Sequence, residues 1–215
     1  MKTDDLIADL SRHPPSRKSR ASGALVASAV LVSMIFALTL AILWLKPRAD
    51  LAVLLIVENH IFLLKLGFTV SVVFGALPIV RDLCIPGRPV RSVSLSTALP
   101  FVGIMILVLL ELSERHTGGS ERDLDHTWLN CLWQIPALAT PAFIILIFAV
   151  RRLAPTDFNR TGAYIGLLAG AIGAVGYSLH CHHDSVAFVG IAYTLAIVEM
   201  ALVGAVLGPR ILRWA

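Results

Sequence analysis

The chain has 215 residues, of which 57% are hydrophobic and only 15% are charged, and its mean hydropathy is +0.80. Soluble domains average about 45–50% apolar and 25% charged residues, so a soluble globular domain is excluded. Intrinsic disorder is excluded because it requires low hydrophobicity and high charge. A disulfide-rich scaffold is excluded because the chain has only three cysteines. The composition therefore predicts a protein that crosses a membrane several times.

Six stretches are long and apolar enough to cross a bilayer, which takes about 20 residues per helix. In chain order they are Ala24–Leu45, Leu51–Ile79, Val93–Leu112, Trp128–Val150, Gly162–Leu179 and Val186–Leu207. Helices are predicted because lipid offers no hydrogen-bond partners to an open strand edge. We expect an all-α integral membrane protein: a six-transmembrane-helix bundle in residues 23–209, a short N-terminal segment in residues 1–22 and a tail in residues 210–215.

The positive charges predict how this bundle is oriented, because Lys and Arg in short connecting segments face the cytoplasm. Only four Lys and Arg residues lie in the connections on the side of the bundle opposite the two termini: Lys46, Arg48, Arg115 and Arg122. Thirteen lie on the side of the two termini: Lys2, Arg12, Arg17, Lys18, Arg20, Arg81, Arg88, Arg91, Arg151, Arg152, Arg160, Arg210 and Arg213. Both termini are therefore predicted to be cytoplasmic. The formal charge of +4 reflects this asymmetry, so direct binding of nucleic acid is not predicted.

Histidine and cysteine are concentrated on the opposite, non-cytoplasmic side of the predicted bundle. The third outer connection is almost entirely the run His180-Cys181-His182-His183-Asp184, and Cys131 lies at the outer start of the fourth span, whereas Cys84 is cytoplasmic. Thiolate and imidazole bind zinc and other soft or borderline metal ions. Two thiols in an oxidising compartment can also form a disulfide.

These residues predict a sensing site in which Cys131 and Cys181 are the favoured members. The further candidate ligands of a metal ion are His126, His180, His182 and His183. Either chemistry requires the two cysteines to come close, which two outer connections of one bundle permit. A soft metal ion would act as a transient signal, and no resident cofactor is predicted. The alternative is that the histidines are simply solvated and the cysteines unpaired.

Two ionisable residues and a glycine repeat lie within the predicted spans. The second span, which contains Lys65, and the sixth span, which contains Glu199, run in the same direction. This favours a buried pair of the two residues that fixes helix packing, and an ion or proton path is the alternative. Gly162, Gly166 and Gly170 recur every four residues in the fifth span. Small residues at this spacing allow helix backbones to approach closely, so dense packing inside the bundle is predicted.

The first ten residues have the pattern of a short amphipathic helix. Thr3 is a suitable N-cap, Asp4 and Asp5 suit the first turn, and Leu6, Ile7 and Leu10 form one apolar strip. A helix this short is unstable alone in water, but it folds when its strip lies in a partner's groove. The predicted partner-binding residues are thus Thr3, Asp4, Asp5, Leu6, Ile7 and Leu10. The alternative is a disordered tail in which the pattern is accidental.

The leader Met1-Lys2-Thr3-Asp4-Asp5-Leu6-Ile7, the six spans and the outward Cys131 and Cys181 together resemble the NrsF family over essentially the whole chain. That family consists of bacterial inner-membrane anti-sigma factors paired with sigma factors of the extracytoplasmic-function type. The resemblance implies that the cytoplasmic leader binds the sigma factor and that the outer cysteines take part in sensing. Many other anti-sigma factors carry a larger cytoplasmic domain, so the connections Val80–Ser92 and Arg151–Thr161 are candidate helpers.

The function predicted is therefore that of a negative regulator. It sequesters an extracytoplasmic-function sigma factor at the bacterial inner membrane and releases it on a periplasmic metal or oxidative signal. The main rival is a transporter for a metal ion or small solute, which would use Lys65, Glu199 and the outer histidines. A quinone-linked thiol oxidoreductase is weaker, because the sequence has no C-x-x-C motif. No phosphate-binding loop, zinc-protease motif or nucleophile elbow occurs, so no enzymatic activity is predicted.

Overall fold

The computed structural model describes residues 16–45, 60–85, 95–118, 127–153, 155, 157–182 and 185–213. All regular elements in these residues are helical. We number six helices in chain order: α1 (Ser16–Leu40, continued by the π-helical Ala41–Leu45), α2 (His60–Leu83), α3 (Leu95–Gly118), α4 (Thr127–Arg151), α5 (Phe158–Ser178) and α6 (Val186–Phe188, the π-helical Val189–Tyr193 and Thr194–Ile211).

In the described residues, each of the six helices contains a segment long and apolar enough to cross a membrane, which confirms the predicted number and order of apolar helices. Helix α2 differs from its predicted span, Leu51–Ile79, because it continues to Leu83. Its last turn includes the charged Arg81 and Asp82. Backbone hydrogen bonds propagate a helix through charged residues, whereas the hydropathy pattern ends at the first charge. Residues 51–59 of the predicted span lie outside the described part of the chain.

Helix α5 is the most buried of the six and lies at the centre of the bundle. Its closest neighbour is α6, and glycines on both helices permit the approach. A Cβ atom on Gly162 would overlap the carbonyl oxygen of Gly204, and one on Gly166 would overlap that of Met200. The predicted dense packing of the fifth span is confirmed. The glycine contacts also fix the rotation of α6 and so decide which of its side chains face α5.

Helix α3 lies at the edge of the bundle and is the least buried span. Phe101 packs edge-to-face on Phe68 of α2, with ring centroids 5.6 Å apart. Near the other end of α3, the Glu111 carboxylate accepts hydrogen bonds from the Ala187 backbone N–H at 2.5 Å and the Ser185 hydroxyl at 3.3 Å. A carboxylate at a helix N-terminus is favourable. Glu111 therefore anchors α3 to the first turn of α6.

Candidate functional site

The two cysteines of the predicted site come from adjacent helices that meet at one end of the bundle. Cys131 lies in the second turn of α4, and Cys181 follows the last turn of α5, where its N–H donates to the Tyr177 carbonyl at 3.1 Å. Consecutive helices run in opposite directions, so the start of α4 and the end of α5 adjoin. We call this end, which includes the start of α6, the cysteine end.

Neither Cys131 nor Cys181 is in a disulfide, and the two side chains lie close together beside Tyr177. Both are buried: Cys131 is 0% exposed and Cys181 is 2% exposed. The Cys131 thiol donates a hydrogen bond to the Tyr177 hydroxyl at 3.3 Å. The structure brings the two cysteines near each other, as the predicted sensing site requires. Neither forms a disulfide, so their action as a sensing pair stays a prediction, and so does the alternative of unpaired cysteines.

Lys65 is also part of this cluster, although the sequence analysis assigned it a different partner. Its side chain is 0% exposed, and Nζ donates to the Cys181 carbonyl at 3.5 Å and lies 3.9 Å from Cys181 Sγ. A buried cation is retained only where polar groups compensate its lost hydration. Lys65 therefore joins α2 to the segment that carries Cys181.

The predicted pair between Lys65 and Glu199 is wrong. The neighbour of Glu199 in sequence, Met200, packs against α5 at Gly166 and Gly170, which turns the Glu199 side chain to the exposed surface of α6. Lys65, by contrast, lies inside the bundle near the cysteine end. The two residues do not line a shared path, so the ion path that would combine them is not formed.

Two tyrosines complete the cluster and were missed by the sequence analysis. Tyr193, in the π-helical part of α6, is 0% exposed and packs against Tyr177 with ring centroids 5.9 Å apart. Within the described residues, its buried hydroxyl makes no hydrogen bond. Tyr177 could have been found, because it precedes Cys181 by four residues and so shares its face of the helix. Tyr193 could not have been found in this way, because only the packing of α6 against α5 brings it to the cluster.

The histidines of the cysteine end lie nearer the surface. His180 is half-buried with its ring centroid 6.1 Å from that of Tyr177, and His182 is exposed with its ring 5.9 Å from His180. Within the described residues, no three His, Cys, Asp or Glu side chains form a group that could hold a metal ion. His126 and His183 lie outside those residues. Coordination of a metal ion that includes them stays a prediction.

The comparison with known proteins identifies the family of the chain. The family model described as NrsF, negative regulator of sigma F, matches residues 8–214. This chain belongs to the NrsF family. It is 32% identical over 215 residues to a probable anti-sigma-F factor NrsF of Azospira oryzae and 27% identical over 224 residues to the anti-sigma-F factor NrsF of Caulobacter vibrioides. Both alignments cover 100% of the two chains compared. No solved structure matches the chain.

The family description and the names of both relatives denote negative regulation of sigma F, which is a regulatory rather than a catalytic role. The rival assignments as a transporter or a thiol oxidoreductase receive no support from these relatives. The residues predicted to bind the sigma factor lie outside the described part of the chain: Thr3, Asp4, Asp5, Leu6, Ile7 and Leu10.

The opposite end of the NrsF bundle, which we call the arginine end, is where that leader joins α1. Exposed arginines surround it: Arg81, Arg151, Arg152, Arg160, Arg210 and Arg213. Arg81, at the end of α2, lies over Gly23 near the start of α1. Asp157 caps α5 by accepting from the Arg160 N–H at 3.1 Å and pairs with the Arg160 side chain at 3.2 Å. Positive charge and the leader therefore share one end.

Cys84 is the third cysteine and lies at the arginine end, away from the pair. It is 3% exposed, and burial raises the pKa of its thiol to about 12. The thiolate is the reactive form of cysteine, so Cys84 is chemically inert near neutral pH.

Proposed function

We propose that this chain holds a sigma factor of the extracytoplasmic-function type at the bacterial inner membrane and releases it when a periplasmic signal modifies Cys131 and Cys181. Membership in the NrsF family supports a sigma factor as the partner. The six membrane-length helices support a site within a lipid bilayer. The observation that carries the signalling part is the proximity of two buried thiols at the end of the bundle opposite the leader.

The proposed orientation puts the arginine end in the cytoplasm and the cysteine end in the periplasm. Exposed Lys and Arg near the ends of spans are retained on the cytoplasmic side. All six exposed arginines of the arginine end fit this rule. The leader, which precedes α1 at the same end, then reaches the compartment in which a sigma factor meets RNA polymerase.

The leader is the proposed binding element for the sigma factor. Its apolar strip of Leu6, Ile7 and Leu10 suits a hydrophobic groove, and the binding energy must cover the cost of ordering the segment. Because the segment is short, moderate changes in its presentation by α1 are sufficient to release the partner. Arg81 above Gly23 couples the inner end of α2 to that part of α1.

The proposed signal is an oxidant or a soft metal ion acting on the thiol pair. Shifting a two-state bundle from about 1:99 to 99:1 needs roughly 5.5 kcal/mol of preference for the releasing state. A bond between the two sulfurs, or thiolate bonds to a metal ion with help from His180 and the other outer histidines, acts directly on α4, α5 and α6. Modification of a side chain in solvent does not act on these helices directly.

Co-purification tests the proposal. The chain carrying an affinity tag is extracted from bacterial membranes in mild detergent under reducing conditions, and we expect a sigma factor to elute with it. Diamide, a thiol oxidant, should release the sigma factor, and dithiothreitol should restore binding. The chain with Cys131→Ser and Cys181→Ser is the matched control and should keep its partner in diamide. Absence of any sigma factor from the reduced chain, or retention after complete disulfide formation, contradicts the proposal.

A further inference from the structure

We propose that Lys65 makes Cys181 the attacking thiol, and thereby leaves Cys131 as the resolving thiol, when a peroxide oxidises the pair. The inference rests on the proposed function, since it assigns an order to the thiol chemistry of that site. Neither the sequence pattern nor the family description distinguishes the two cysteines. The geometry around them does, because the two sulfurs have different neighbours.

Cys181 is the thiol with a cation beside it. The Lys65 ammonium lies 3.9 Å from Cys181 Sγ and is held in place by its hydrogen bond to the Cys181 carbonyl. A sulfur that attacks an oxidant must first carry negative charge, and a cation at this distance in a buried site stabilises that charge strongly. Lys65 is thus a positioning residue that acts through the electrostatics of Cys181 and does not itself react.

Cys131 has a different hydrogen-bond partner. Its thiol is fully buried within α4 and donates its hydrogen to the Tyr177 hydroxyl. A neutral hydroxyl stabilises a thiolate less than the ammonium that lies beside Cys181 Sγ. Both sulfurs are buried, so the position of the Lys65 ammonium is the difference that favours Cys181.

The reaction proceeds in two steps. In the first, Cys181 Sγ attacks one peroxide oxygen, the O–O bond breaks, the sulfur is oxidised to a sulfenic acid and the reduced second oxygen leaves as water with the thiol proton. In the second, Cys131 Sγ attacks the sulfenic sulfur, the S–O bond breaks and the hydroxyl group leaves as water with the Cys131 proton. The product is the Cys131–Cys181 disulfide, which the proximity of the two side chains favours.

The order of attack can be measured in single-cysteine chains. Full-length chains that carry Cys84→Ser and either Cys131→Ser or Cys181→Ser are placed in lipid nanodiscs and treated with hydrogen peroxide and dimedone, which traps sulfenic acids. Mass spectrometry then gives the rate of adduct formation. We expect Cys181 to react at least about tenfold faster than Cys131. Equal rates of adduct formation at the two cysteines, or a faster rate at Cys131, contradict the assignment of Cys181 as the attacking thiol. This comparison requires no substitution of Lys65.

The role of Lys65 is measured in the chain that retains only Cys181. Lys65→Met, which keeps length and apolarity but removes the charge, should slow adduct formation about tenfold or more, and Lys65→Arg should restore most of the rate. Thr69→Val is the packing control, because Thr69 is buried one turn along the same face and its hydroxyl bonds to the Lys65 carbonyl at 2.9 Å. An unchanged rate in Lys65→Met, or an equal loss in Thr69→Val, overturns the proposal.

This inference and the proposed function fail in different ways. Disulfide formation and sigma-factor release are also followed in the chain with Cys131, Cys181 and Lys65 intact. If peroxide produces the disulfide and releases the sigma factor but Lys65→Met reacts equally fast, only the role of Lys65 is wrong. If the intact chain forms the disulfide without release, the proposed function is wrong while the order of attack can still be read from the adducts.

Discussion

Lys65 Nζ lies 3.9 Å from Cys181 Sγ, although 116 positions separate the two residues in the chain. The contact joins α2 to the connection between α5 and α6, next to a second thiol from α4. Chemical modification of Cys181 therefore acts on several helices at once. Helix α2 reaches from this site to Arg81 beside Gly23, so one continuous helix links the cysteine end to the base of the leader.

The cysteines should be individually necessary for the response. Cys131→Ser and Cys181→Ser should each reduce induction of a sigma-dependent reporter by an oxidant or a soft metal ion, and the double variant should resemble either single one because both thiols serve one event. Cys84→Ser should leave induction unchanged, since Cys84 lies apart from the pair. Full induction in the double variant would remove the thiols from the mechanism and leave the histidines as candidates.

The leader should be necessary for holding the sigma factor. Leu6→Asp with Ile7→Asp introduces two carboxylates into an apolar strip, and burying an unpaired carboxylate costs several kcal/mol, more than a short segment gains after ordering. We expect loss of sigma-factor binding in co-purification, with normal membrane insertion measured by fractionation. Asp9→Asn is the matched control, because Asp9 is a polar position of the same segment that is not among the predicted partner-binding residues. Retained binding in the double variant would move the interface to the cytoplasmic connections.

Reporter fusions should establish the orientation of the bundle. A reporter that is active only in the periplasm should work when inserted after Gly118 or after Asp184, and it should fail after Arg88 or Ala215. The expectation follows from the exposed arginines at one end and the histidines at the other. Activity at Ala215 would reverse the assignment of every connection and place the thiol pair in the cytoplasm.

The helices were predictable from sequence, but the composition of the thiol cluster was only partly so. Long apolar runs specify spans because the bilayer accepts few other structures, and alternating helix direction is sufficient to place Cys131 and Cys181 at the same end of the bundle. The partner of Lys65 was not predictable, since it depends on how α6 is rotated. Contacts such as Gly162 with Gly204 set that rotation and turn Glu199 outward. Such backbone contacts depend on helix packing, which hydropathy and charge patterns do not encode.

Cys84 should be unreactive in the folded chain until the pH is strongly alkaline. Burial raises the pKa of its thiol to about 12, whereas an unfolded cysteine titrates near about 8.5. The raised value means that the neutral thiol contributes to stability below about pH 8.5, and that this contribution is lost progressively as the pH rises toward 12. At pH 8, alkylation by iodoacetamide in a chain with Cys131→Ser and Cys181→Ser should be about a thousandfold slower than after denaturation. Comparable rates would show that Cys84 is not shielded by the fold.

The crossing of α5 and α6 should be intolerant of side chains at its glycines. Gly204→Val would force a Cβ atom against the carbonyl oxygen of Gly162, a contact with rigid backbone that cannot move aside as a flexible side chain would. Overpacking of this kind costs about 1–3 kcal/mol, and here it also shifts the helix that carries Tyr193 against Tyr177. Gly67→Val and Gly103→Val are the matched controls, because a Cβ atom at either position meets nothing within 4 Å. We expect Gly204→Val alone to lower the thermal midpoint in detergent and to slow formation of the Cys131–Cys181 disulfide. A normal midpoint and normal disulfide formation in Gly204→Val would mean that the helices can separate without disturbing the thiol cluster, and that the glycines do not position it.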